Sequence, residues 1–167
     1  MSPPVFLRTA GKADVAAVSR LLGETWHATY DSIYGEARVE EITRSWHAPK
    51  ALEARLGRPN TEFVVADDGS RILGMAFAGA GGADGKMVSL HQLYVHPDAQ
   101  GRGIGRDLLA EIEGCFPSAT RMRLEVEEAN YQAAAFYERH GFAKVGSTQG
   151  KDGDFGIPAA VYEKALV

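Results

Sequence analysis

Gly101, Gly103 and Gly105 alternate with Arg102 and Ile104 where an apolar strand pattern, Leu93-Tyr94-Val95-His96-Pro97, gives way to a helix pattern. Glycine lets the backbone come close to a ligand, and bare N–H groups at a helix start favour an anion. The chemistry this suggests is the cradling of a diphosphate. The spacing excludes two familiar cradles. A P-loop requires a lysine after its last glycine, and none follows here. The dinucleotide fingerprint G-x-G-x-x-G fails because Leu108 stands where its third glycine would be. What remains is Q-x-x-G-x-G, from Gln100 to Gly105.

A second group of residues follows. Asn130, Ala133 and Tyr137 recur at helical spacing and so share one stripe of a helix. They belong to the run N-x-x-A-x-x-F-Y-x-x-x-G-F, which also contains Phe136, Gly141 and Phe142. Asn130 also serves as a helix cap in this reading, and Phe136 as core.

Together the two runs resemble the signatures of the GNAT superfamily, the Gcn5-related N-acetyltransferases. The resemblance covers essentially the whole chain and implies acetyl-CoA as the cofactor. It implies an α/β fold with a mixed, mostly antiparallel sheet of roughly seven strands, roughly four flanking helices and a central parallel strand pair. The diphosphate would lie on Gln100, Gly101, Arg102, Gly103, Ile104, Gly105 and Arg106. A backbone N–H within Leu93, Tyr94 and Val95, freed by a β-bulge, would meet the thioester oxygen. Asn130 and Ala133 would line the pantetheine arm. The Tyr137 hydroxyl would sit by the sulfur, on a stripe facing the cleft beside the glycine turn.

Acetyl transfer to an amine has three requirements. The amine must be neutral, although its pKa lies near ~7.7–8 for an α-amino group and ~10.4 for lysine. Charge developing on the thioester oxygen needs a fixed donor. The departing thiolate needs a proton or a hydrogen bond, and a phenol such as Tyr137 can supply it. Three sources of a base are open. Glu125 lies five residues before Asn130 and alternates away from Leu124 and Val126. That spacing resembles the catalytic glutamate of the bacterial ribosomal-protein N-terminal alanine acetyltransferases. His91 alternates with Leu93, and its near-neutral pKa suits proton transfer. A water relay with no essential base is the third. Cys115 falls on the apolar stripe of the helix after the glycine turn and reads as core, so direct attack in a ternary complex is expected rather than a covalent intermediate.

The acceptor is less marked. Trp26, Tyr30 and Tyr34 crowd the end of the first helix beside His27 and could bind an apolar or cationic amine, although Trp26 and Tyr30 also read as core. Glu36, Glu40, Glu41, Asp152 and Asp154 could favour cations or be solvated. The loop Gly150–Gly156 is expected to close on substrate. A primary amine, small or peptide-borne, is the predicted acceptor. The alternatives are an acyl-CoA sensor without turnover, O-acylation, or a longer acyl chain.

The elements that must position these residues follow from periodicity. Strands are expected at Val5–Thr9, Thr61–Ala66, Arg71–Gly79, Met87–Val95, Thr120–Glu127, Ala143–Thr148 and Ala159–Leu166. A first helix begins at Asp14, with Val15, Val18, Leu22, Trp26, Thr29 and Ile33 inward. A second helical region covers 37–56 and breaks at Pro49. Further helices start near Gly103 and after Asn130. The chain's 167 residues suit one domain, 1–167. The net charge of -4 argues against nucleic acid as a partner. No apolar run nears the ~18 residues of a membrane span, and no signal peptide is evident. One cysteine fits a reducing, cytoplasmic setting. The five histidines lack metal-ligand spacing, so no metal is expected. A homodimer is left open.

Overall fold

The computed structural model describes residues 2–149 and 157–166. The expected loop Gly150–Gly156, with Asp152 and Asp154, lies outside them. Seven strands form one sheet in the order β1-β2-β3-β4-β5-β7-β6. They are β1 Phe6–Thr9, β2 Thr61–Asp67, β3 Ile72–Gly81, β4 Met87–Val95, β5 Arg121–Glu127, β6 Ala143–Thr148 and β7 Ala159–Ala165. The helices are α1 Val15–Tyr34, α2 Glu36–Trp46, α3 Pro49–Glu53, α4 Ile104–Gly114 and α5 Tyr131–Arg139.

The chain divides into two compact units, Met1–Ala78 with Gln92–Cys115, and Gly79–His91 with Phe116–Val167. In the first, β1 pairs antiparallel with β2. Arg8 is held between Asp14 and Asp67 at 2.8 and 3.0 Å. The core joins the inward side of α1 (Val18, Leu21, Leu22) to Phe63, Met75 and Phe77 of the sheet. The stripe of α1 drifts from its expected course. Tyr30 is buried in place of Thr29, and Ile33 is 44% exposed because the end of the helix runs past the apolar layer. Gly35, at φ +89°, ends α1 and opens α2 at once. The expected break falls at His47 and Ala48, with Pro49 as the first residue of α3.

In the second unit, β4 and β5 run parallel, with Met87 to Leu90 opposite Arg121 to Leu124. β5 alternates cleanly, burying Met122, Leu124 and Val126 and exposing Arg121, Arg123 and Glu125. β7 pairs antiparallel with β5 along its whole length. β6 closes the sheet as an edge strand. Its pairing with β7 steps from Lys144 to Gly146 while β7 advances one residue, which leaves Val145 bulged and 55% exposed.

Candidate functional site

In the first unit the glycine turn is built from both sides. The exit of β4 is fixed by the His96 N–H, which donates to the Leu73 carbonyl at 2.8 Å. The His96 ring is a second anchor. Its Nδ1 accepts the Asp98 N–H at 3.1 Å, which leaves the proton on Nε2 to be donated to Glu24 of α1 at 2.6 Å. The turn then runs through a 3-10 segment, Pro97–Ala99, and the Gln100 amide donates to the Val95 carbonyl at 3.2 Å.

Gly101 and Gly103 have φ of +80° and +79°, a conformation any side chain would strain. Gly103 is the N-cap of α4 and supplies no capping side chain. The first N–H groups of α4, at the positive end of the helix dipole, thus have no side-chain cap from Gly103. The Arg106 guanidinium lies so close over Gly103 that a Cβ there would stand 2.9 Å from it. Beneath the turn, Ile104, Leu108, Leu109 and Ile112 bury the other side of α4. The result is a helix start with an apolar side in the core and exposed residues, Arg102, Arg106 and Asp107, on the other.

The final residues of β4 behave differently from its beginning. Val88, Leu90 and Gln92 are buried in alternation, whereas Leu93, Tyr94 and Val95 are all half-buried. His91 is exposed. Cys115, expected as core, is instead the half-buried C-cap of α4, because the helix ends at Gly114 before its apolar stripe recurs. Burial raises its thiol pKa, with Glu62 and Glu111 adding to the effect, so it is a poor nucleophile.

In the second unit the residues between β5 and α5 are locked by main-chain bonds from Asn130 N–H to Glu127 (2.9 Å) and from Glu128 N–H to Pro158 (3.1 Å). Asn130 caps α5, its Oδ1 accepting the Ala133 N–H at 3.1 Å. One face of the amide is thus committed to the fold. Tyr137, 7% exposed, packs edge-on against Phe136 and Phe142 at 5.2 and 5.6 Å. Burial, reinforced by Glu127, pushes its phenol well above the ordinary tyrosine range. The hydroxyl is therefore held in its protonated form, with a proton available for a hydrogen bond. Glu125 stands on the exposed face of β5, where Glu163 holds the neighbouring Arg121 at 2.9 Å.

Among the predicted acceptor residues, Trp26 and Tyr30 are fully buried, with ring centres 4.4 Å apart, and Tyr34 stacks on Tyr30 at 5.5 Å as the accessible member. Arg38 lies over the Tyr34 ring at 5.9 Å. Sequence reasoning missed a polar cluster beneath them: His47, Arg55 and Gln92. Arg55 donates to Gln92 at 2.6 Å and to the Trp46 carbonyl at 3.0 Å, and the Gln92 amide faces His47 Nδ1 at 3.3 Å. The available signal was Gln92 itself, a polar residue at an inward position of β4. No group of three or more metal-ligating side chains is arranged for a metal among the described residues.

Residues 30–164 match the family model of the acetyltransferase (GNAT) domain. An acetyltransferase of Pectobacterium atrosepticum is 32% identical over 106 residues, 59% of this chain and 70% of that protein. Among solved structures, the PaiA N-acetyltransferase of Thermoplasma acidophilum in complex with coenzyme A superposes with a TM-score of 0.83 at 23% identity, covering 97% of this chain and 99% of that one. The ribosomal-protein-S18-alanine N-acetyltransferase of Escherichia coli gives 0.71 at 17% identity, covering 98% and 94%.

Proposed function

We propose, from the premise that the chain belongs to the GNAT acetyltransferase family, that it is an N-acetyltransferase in which a primary amine attacks the thioester of acetyl-CoA directly in a ternary complex. The observation that carries this reading is the glycine turn. Its two left-handed glycines and the uncapped start of α4 have the form of a diphosphate site. Gln100 to Arg106 hold the coenzyme's diphosphate, and main-chain groups of Leu93, Tyr94 and Val95 hold the thioester. Asn130 and Ala133 line the pantetheine arm.

Tyr137 supplies a hydrogen bond to the departing thiolate. Its raised pKa makes full proton transfer less favourable but keeps the donor protonated through the physiological range. Glu125 is the proposed base, with His91 or a water relay as alternatives; both side chains are exposed and so within reach of solvent protons. The half-buried, high-pKa Cys115 supports direct attack over a covalent intermediate. We place the acceptor against the aromatic group that ends at Tyr34. We read 1–167 as a single cytoplasmic domain, a location supported by the single cysteine.

The test is release of free CoA thiol across a panel of amines, small and peptide-borne. Saturable release with at least one of them is expected. Binding of acetyl-CoA with no release across the panel would overturn catalysis in favour of a sensor.

A further inference from the structure

We propose that Arg55, Gln92 and His47 form a positioning relay that holds the Leu93–Val95 end of β4 in place for the acetyl thioester. The inference rests on the reading above that those three residues meet the thioester.

The relay's direction follows from donor and acceptor chemistry. A guanidinium only donates, so the 2.6 Å bond from Arg55 requires Gln92 to present its carbonyl oxygen to it. The Gln92 NH2 then faces His47 Nδ1 at 3.3 Å, and that nitrogen must accept. The ring proton is thereby fixed on Nε2, a buried atom with no partner among the described residues. Burial and the nearby Arg55 charge lower the His47 pKa to about 3, so the ring stays neutral and the tautomer holds.

Each member is also tied elsewhere. Arg55 binds the Trp46 carbonyl at 3.0 Å and lies over the Phe77 ring at 5.8 Å. The His47 carbonyl accepts the Ser19 hydroxyl of α1 at 2.6 Å. Arg55 and the α2–α3 link, itself bonded by Ser19 of α1, thus converge on the side chain directly before Leu93. An apolar residue at position 92 would fill the same space without fixing the strand along its own axis. Half-buried Arg55 and 3%-exposed His47 carry a desolvation cost that simple packing does not require. Where catalysis depends on alignment, small shifts of the reacting groups are costly.

Two substitutions test this. Gln92→Leu removes both bonds at similar volume. Gln92→Glu keeps an acceptor for Arg55 but obliges His47 to carry its proton on Nδ1. We expect Gln92→Leu to lower kcat by about tenfold with CoA affinity within about twofold of wild type. Gln92→Glu should recover most of the rate and exchange the two ring 15N shifts of His47. Wild-type kcat in Gln92→Leu, equal losses of kcat and CoA affinity, or no recovery in Gln92→Glu would overturn the relay. If Gln92→Leu does not fold, Arg55→Lys must show the same split between kcat and affinity. Should wild type release no thiol with any amine, acetyl transfer itself fails, and the His47 tautomer in the two Gln92 proteins decides the relay independently.

Discussion

In the proposed reading the turn after β4 offers backbone to a ligand, whereas α5 offers side chains. At the turn, side chains are missing where the backbone is bare. Gly101 and Gly103 adopt angles that other residues avoid, and the first amides of α4 carry no cap. On α5, Asn130 spends one amide atom on the fold, and Tyr137 is buried with its hydroxyl locked in the protonated form. Grip is thereby divided from chemistry in the proposed reading. Damage to the turn should appear in affinity and damage to α5 in turnover.

The largest effect should come from Tyr137→Phe. We expect kcat to fall by roughly 10²-fold, with acetyl-CoA affinity nearly unchanged by calorimetry. Because burial and Glu127 raise the tyrosine pKa, its ionisation should place no alkaline limb on the wild-type rate up to pH 10. An unchanged kcat would remove the tyrosine from the chemistry. Next in size is Gly103→Val, which forces a branched residue into a left-handed angle costing about 1–2 kcal/mol. Cofactor affinity should drop about tenfold while kcat at saturation holds. A kcat loss at intact affinity would erase the distinction between the two regions.

Glu125→Gln should act by a few-fold only, concentrated at low pH, where the amine arrives protonated. An effect equal at all pH values would count against this residue as the base. The smallest change belongs to a place outside both regions. His27 on α1 is held by Asp31 at 2.7 Å and by Glu40 of α2 at 2.9 Å. Burial alone would lower its pKa, but the two carboxylates outweigh it and raise it. Its contribution to stability is therefore full below pH ~6.5 and fades as pH rises through the elevated folded value. His27→Gln should lower the melting temperature by about 1–3 °C at pH 6 and by less at pH 8.5. Affinity and kcat should stay put, and a shift in either would show that the α1–α2 clamp reaches the reaction.

Much of this architecture was readable from the chain. β4 and β6 fall on the residues that alternation predicts, and Pro49 restarts a helix as its ring requires. The motif residues were legible because glycines and an asparagine cap act locally, within a turn of the backbone they shape. The expected burial of Ile33 failed because periodicity says which side of a helix is apolar but not how far the layer beneath it extends. Arg55, Gln92 and His47 were invisible for another reason. Gln92 lies 37 residues from Arg55 and 45 from His47, and only folding makes their donors and acceptors complementary.

The bulge at Val145 has a consequence for the molecule among its neighbours. A sheet that stopped at a straight β6 would offer a row of unanswered amides and carbonyls, an invitation for any passing chain to add itself as an eighth strand. The kink breaks the even rhythm such an addition needs, and Lys144 beside it brings a charge that stacking would have to dehydrate. One surplus residue at the border thus makes this edge a poorer template for another strand.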